Sequence, residues 1–231
     1  MKPLIYAQHL TKTYGSNPSV VYAVNDITLG LYEGDFTVIL GRSGSGKSTL
    51  LHILAGLLPP DKGSVQLDDF SIYSLSDHAR TLLRRRSIGF IFQFFNLLPT
   101  ENVIENIVLP LHLDRRKEDS AYIDTLLKEL GIEDKRYAWI HELSGGQQQR
   151  TAIARALALR PRIIFADEPT GNLDKESAQE VISLLQKSCL LHHQTIVMVT
   201  HDESAAALAD RVIRLEDGHI LSDVRNSNAR Q

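Results

Sequence analysis

Eight consecutive residues, Gly41-Arg42-Ser43-Gly44-Ser45-Gly46-Lys47-Ser48, combine glycines, a lysine and a hydroxyl at the spacing G-x4-G-K-[ST]. The glycines let the backbone turn until successive N–H groups face one anion. A helix opening near Lys47 adds the partial positive charge of its N-terminus to the same point. Lys47 brings a full charge to the β- and γ-phosphates of a nucleotide, and Ser48 offers a hydroxyl to Mg2+. The chemistry is phosphate binding. Further along, Ile163-Ile164-Phe165-Ala166-Asp167-Glu168 is an apolar run ending in two carboxylates. A buried strand that delivers a carboxylate to its end places a metal partner beside a nucleotide, which makes Asp167 the Mg2+ candidate. Glu168 is one residue on, points elsewhere and is available to polarise an attacking water.

These groups need strands and helices to carry them. Leu4–Leu10, Val20–Val24, Ile27–Leu31 and Asp35–Leu40 are short, branched and separated by turn residues, the pattern of strands. A helix is predicted from Lys47 to Ala55, a strand at Ser64–Leu67, a helix over Ser76–Arg86 and a strand at Ile88–Phe92. In Ala121–Leu130, Ile123, Leu126, Leu127 and Leu130 share one helical face. Helix Gln147–Leu159 ends before Pro161, which cannot continue the ladder. Ile163–Ala166, Lys175–Leu191 and Thr195–Thr200 read as strand, helix and strand. Arg211–Glu216 turns at Asp217-Gly218 into Ile220-Leu221, and the polar tail after Val224 is expected to fray. The expected fold is α/β. A single domain, 1–231, has a core over roughly 1–93 and 160–224, an antiparallel N-terminal part, and a helical insertion over roughly 94–159.

Leu143-Ser144-Gly145-Gly146-Gln147 precedes a helix containing Gln148-Gln149-Arg150 and Ala154-Arg155-Ala156-Leu157. With the two motifs above, in this order, the chain resembles the ATP-binding-cassette (ABC) ATPases over nearly its whole length. The resemblance implies a P-loop core with an ABC-type antiparallel β subdomain and an inserted helical subdomain, using ATP and Mg2+. It implies nucleotide contacts from Gly41 through Thr49 and from Ser144, Gly145, Gly146 and Gln147. It implies that Gln93 senses Mg2+ and the water, that Leu173-Asp174 cross a dimer interface, and that His201 touches the γ-phosphate. Tyr14 either stacks on adenine or is an aromatic on an edge strand. The resemblance also implies that the signature residues act on ATP held by a second copy, two chains closing head-to-tail around two ATP molecules.

Phe92-Gln93-Phe94-Phe95-Asn96-Leu97-Leu98-Pro99-Thr100 and Asp167-Glu168-Pro169-Thr170-Gly171-Asn172-Leu173-Asp174 are similar to the group serving macrolide, lipoprotein, haem and antimicrobial-peptide exporters. The group includes a cell-division ATPase that regulates an extracytoplasmic activity without transport, so both roles remain open. An integral membrane permease is expected to dock near Gln93–Leu98. Four of the seven phenylalanines fall within Phe90–Phe95. Period-two alternation would put Phe90, Phe92 and Phe94 on one face and Phe95 on the other. Phe90 and Phe92 are read as core, and Phe94, Phe95, Leu97 and Leu98 as lining an exposed groove.

Composition narrows the classes further. The 231 residues are 43% hydrophobic and 23% charged, as in an ordinary soluble protein. With 25 Lys+Arg against 28 Asp+Glu, the net charge of −3 argues against a general nucleic-acid binder. A single cysteine, Cys189, leaves no internal disulfide and no cysteine-based metal site. Apolar stretches stop well short of a membrane span: Leu50–Leu58 is interrupted by His52 and Gly56. The expected location is the cytoplasmic face of a membrane, held there through the permease.

Overall fold

The computed structural model describes residues 2–16 and 18–226. The chain begins with β1 (Ile5–Tyr14), β2 (Val21–Leu31), β3 (Phe36–Leu40), α1 (Lys47–Leu54), β4 (Lys62–Leu67), β5 (Phe70–Ser71), α2 (Asp77–Ser87) and β6 (Ile88–Ile91). The helices α3 (Val103–Leu113), α4 (Ser120–Glu129) and α5 (Gly145–Leu157) follow. They lead to β7 (Ile163–Asp167), α6 (Lys175–His192), β8 (Thr195–Thr200), β9 (Arg211–Glu216) and β10 (His219–Arg225). Two sheets form, with strand orders β2-β1-β4-β5 and β10-β9-β3-β8-β7-β6. The first is antiparallel. In the second, β9, β3, β8, β7 and β6 run parallel, and β10 adds antiparallel at the edge.

Strands β3, β7 and β8 are buried almost throughout, as strands covered on both faces must be. Their alternation assigns the two faces. Phe36, Val38, Leu40, Ile164, Ala166, Ile196 and Met198 pack toward a core shared with α6 and the α3–α5 helices. Ile39, Ile163, Phe165, Val197 and Val199 pack toward α1 and the first sheet. Period two therefore places Asp167, in line with Ile163 and Phe165, on the α1 side.

Several local expectations are corrected. The strands expected at Val20–Val24 and Ile27–Leu31 are one strand, β2. The irregularity falls at Asp26 (φ 53°), with His9 (φ 50°) on β1 absorbing the matching slip in register. Their side chains meet at 2.8 Å, so pairing continues past the kink. Helix α5 begins at Gly145, not Gln147, because Ser144 caps it, and it ends at Leu157. Strand β6 stops at Ile91, so alternation does not carry through Phe92 and Phe94. Phe90 and Phe92 stack at 4.3 Å and are only half-buried. Strand β10 runs to Arg225, one residue past Val224, and residues 227–231 of the tail expected to fray lie outside the described residues.

The first sheet is closed onto β4 by Asp61. Its carboxylate accepts from Lys12 Nζ (2.8 Å), Thr13 N (2.7 Å) and Thr13 Oγ1 (2.8 Å). The Lys12 hydrogen bond, followed by those from Thr13, lowers its pKa to about 2. A depressed carboxylate contributes stability above its unfolded pKa and loses it as pH falls toward the folded value. Asp61→Asn is expected to lower the urea midpoint at pH 6 and to approach the parent as pH falls through 4 toward 2. A gap that stays constant over that range would show that the ionised form contributes nothing.

Candidate functional site

Most of the predicted residues converge beyond the C-terminal ends of the parallel strands, where open α/β sheets place their ligands. Strand β3 ends at Leu40 and passes into the glycine loop, β6 leads to Gln93, β7 to Asp167 and Glu168, and β8 to His201. Gly46 is the N-cap of α1 with φ 98°. A Cβ there would lie 1.8 Å from the Ala23 carbonyl oxygen, so both conformation and space demand glycine. The loop is thus pressed against β2.

Lys47, only 5% exposed, donates from Nζ to the carbonyls of Gly41 (2.8 Å) and Arg42 (2.9 Å), and lies 3.6 Å from Glu168 Oε1. Its charge is aimed into the loop it belongs to. Ser48 Oγ donates to Asp167 Oδ1 at 2.7 Å. A hydroxyl and a carboxylate are hard oxygen donors of the kind Mg2+ prefers, and Mg2+ fits this pair. Glu168 breaks the strand with φ 46° and swings away from Asp167. Its Oε2 stands 2.8 Å from His201 Nδ1, so the two adjacent carboxylates face different partners, as the sequence predicts. Gln93 is held from the same side: Asn172 Nδ2 donates to its carbonyl at 2.8 Å, and Gly171 packs against its amide.

A cleft of about 760 Å3 is lined by Tyr14, Val21, Ala23, Arg42, Ser43, Gly44, Gly46, Lys47, Ser48, Thr49, Gln93, Glu168 and His201. Tyr14 is half exposed at its rim, beside Val21. Gly41, Ser45 and Asp167 support the cleft without lining it. Ser45 is buried, and its hydroxyl has no partner among the described residues. Ser144, Gly145, Gly146 and Gln147 are elsewhere, at the start of α5. There Ser144 Oγ accepts from Gln147 N (3.3 Å) and Gln147 Oε1 accepts from Ser144 N (3.0 Å), a reciprocal cap. Gly145 packs beside Leu173, and Gly146 beside Ser177. Asp174 caps α6 through Ser177, whose hydrogen bonds lower the Asp174 pKa.

Sequence reading passed over three side chains that organise this region. His52 Nε2 lies 3.1 Å from Asp167 Oδ2; its position one helical turn after Ser48 was the available signal. Asn106, fully buried on α3, accepts from Leu98 N and donates to the carbonyls of Leu98, Glu101 and Asn102, pinning the loop after Gln93. Arg155, on α5, donates to the carbonyls of Phe95 (2.8 Å) and Asn96 (2.5 Å), and burial lowers its pKa. Phe94 stands 72% exposed and Leu98 is exposed as well, whereas Leu97 packs on the core and Phe95 is half-buried. Only part of the expected apolar groove is therefore open.

A lysine turned into its own glycine loop, with a second strand delivering carboxylates to the same edge, is the arrangement of a P-loop nucleoside-triphosphatase. The ABC transporter family pattern matches residues 24–171, more than half of the chain, and the chain belongs to that family. It is an ATP-binding subunit of an ABC transporter, an ATPase that takes ATP with Mg2+. The lipoprotein-releasing system ATP-binding protein LolD of Bordetella pertussis is 40% identical over 223 residues, 96% of each chain. The macrolide export ATP-binding/permease protein MacB of Bdellovibrio bacteriovorus is 45% identical over 224 residues, which are 96% of this chain and 34% of that one. Among solved structures, an ATP-binding cassette dimer in a post-hydrolysis state, bound to ADP and Pi, superposes with TM-score 0.85 at 39% identity. That match covers 96% of this chain and 98% of the other. Such subunits are membrane-associated, and the described residues contain no helix long and apolar enough to cross a membrane.

Proposed function

We propose that this chain is the ATP-hydrolysing subunit of an exporter, working as a homodimer closed around two Mg2+-ATP and driving a separate membrane permease. The observation that carries the dimer is the separation of the signature residues from the cleft. Residues 144–147 line none of the 760 Å3 that Lys47 commands, yet they begin a helix whose first N–H groups lack intrahelical acceptors. Ser144 takes the N–H of Gln147. Those of Gly145 and Gly146 are left to bind an anion, assisted by the helix dipole. A second copy brings that surface to the open side of the γ-phosphate.

Within each cleft the residues 41–49 hold the phosphates, with Lys47 countering their charge and Tyr14 flanking the base. Ser48 and Asp167 hold Mg2+, with Gln93 beside them. When bound, the metal neutralises charge on the β- and γ-phosphates. Glu168 takes the proton of the attacking water, and His201, which contacts Glu168, meets the γ-phosphate. Separation of the products opens the dimer. The segment Gln93–Leu98 faces the permease, with Phe94 and Leu98 as its apolar contacts. Arg155 ties that segment to the signature helix, so a movement at the permease reaches the partner's ATP. On this reading the core comprises residues 1–93 and 160–224 and the helical subdomain 94–159. The chain sits peripherally at the cytoplasmic face through its permease.

The export direction is supported by the likeness to LolD and MacB, whose names state lipoprotein release and macrolide export. ATP-driven transport by vesicles holding this chain and its co-purified membrane partner tests it; ATP hydrolysis with no compound moved would overturn it. For the dimer, Gly145→Asp puts a carboxylate where the γ-phosphate must dock. The variant is expected to bind ATP like the parent yet fail to dimerise with Mg2+-ATP in light scattering. Undiminished dimerisation would sink the composite site.

A further inference from the structure

The grip on Asp167 is two-handed, and both hands come from one face of α1. At 3.6 residues per turn, Ser48 and His52 stand one above the other. Ser48 Oγ donates to Oδ1 at 2.7 Å, and His52 Nε2 lies 3.1 Å from Oδ2. An ionised carboxylate only accepts, so this close contact is attractive when Nε2 carries a proton. With one oxygen hydrogen-bonded to Ser48 and the other against the imidazole, turning of the carboxylate about its Cβ–Cγ bond is opposed on both sides. The imidazole is itself braced. Its ring packs on Phe90 (centroids 5.7 Å, interplanar angle 37°), and Phe90 stacks on Phe92. Phe90 lies on β6, in register with Phe165 two residues before Asp167 on β7. His52 does not line the nucleotide cleft; whatever it does there passes through Asp167.

We propose that His52 is a positioning residue for the metal site, holding the Asp167 carboxylate in the plane that presents an oxygen to Mg2+ alongside Ser48. The proposal rests on the reading of Asp167 as a Mg2+ ligand. It makes the acidic pair symmetric in support: each carboxylate has a histidine, His52 for Asp167 from α1 and His201 for Glu168 from the end of β8. Groups that hold a metal's ligand in orientation without touching the metal typically cost about 10–100-fold in metal affinity or activity when removed.

Three substitutions separate the N–H contact with Asp167 from the packing on Phe90. His52→Phe keeps an aromatic ring against Phe90 and loses the donor. His52→Gln keeps an N–H donor of similar reach and loses the ring. His52→Leu loses both. Mn2+ binding to the full chain with a non-hydrolysable ATP analogue, followed by electron paramagnetic resonance, reads the metal site without turnover. The half-saturating Mn2+ concentration is expected to rise about tenfold in His52→Phe and His52→Leu and to stay near the parent in His52→Gln. Metal-free analogue binding should be unchanged in all three, because Lys47 and its loop are untouched. Parental Mn2+ affinity in His52→Phe, or a His52→Gln no better than His52→Phe, overturns the proposal. Asp167→Asn is the control. If it weakens Mn2+ binding while His52→Phe does not, only the role of His52 fails; if it leaves Mn2+ binding unchanged, the assignment of Asp167 fails and the proposal falls with it.

Discussion

Glu168→Gln is expected to abolish turnover while preserving, or slightly tightening, Mg2+-ATP binding. The amide is nearly isosteric and still accepts from His201, but it cannot take a proton from water. Loss of general-base help costs about 10²–10⁴-fold in rate. The structure adds a reason for the intact affinity. Glu168 Oε1 lies 3.6 Å from Lys47 Nζ, so the carboxylate competes with phosphate for the ammonium. A neutral amide removes that competitor, while Ser48 and Asp167 remain paired behind it. If the dimer is held by unhydrolysed ATP, the variant should elute as a dimer in gel filtration with Mg2+-ATP, where the parent returns to monomer as it turns over. Normal hydrolysis would move the base to another residue. An inactive variant that binds ATP but never dimerises would leave the base assignment standing and overturn the ATP-held dimer.

Lys47→Ala is expected to be equally inactive for the opposite reason. The lysine is buried, its stem runs along the loop, and its ammonium is anchored by the carbonyls of Gly41 and Arg42. Removing it deletes the full positive charge from the cradle and leaves only backbone N–H groups facing the phosphates. A hydrogen bond to a charged group is worth about 1.5–3 kcal/mol, or roughly 10–150-fold in affinity. The ground state and the transition state share this contact, so nucleotide affinity and kcat should fall together. Titration with a fluorescent ATP analogue, beside a phosphate-release assay, checks both. The variant should stay monomeric with Mg2+-ATP, so size alone distinguishes the two dead proteins. Near-parental affinity would mean that the glycine loop binds phosphate without its lysine and that Lys47 is structural.

What could be read in the sequence is what contiguous residues encode. The glycine loop is legible because neighbouring backbone conformations build the cradle, and Gly46 is required by its own φ and by contact with the adjacent strand. That the two carboxylates part is legible because they end a buried strand, although the turn that carries Glu168 away is a break at φ 46° rather than continued alternation. The reciprocal cap of Ser144 and Gln147 also lies within one turn, although the helix starts two residues earlier than its apolar pattern suggests, since glycines carry no hydropathic signal. The rest depends on contacts between segments far apart in the chain. That β2 is continuous follows from its pairing with β1, where a slip at His9 matches one at Asp26. That Asp167 meets His52 follows from which face of β7 looks toward α1, a consequence of strand order in the six-stranded sheet. And the separation of the two motifs, Lys47 in the cleft and Gly145 and Gly146 outside it, exists only once α5 is packed beside Leu173 and Ser177. Motif order names the parts of the site; tertiary packing determines which of them one chain brings together and which it leaves apart.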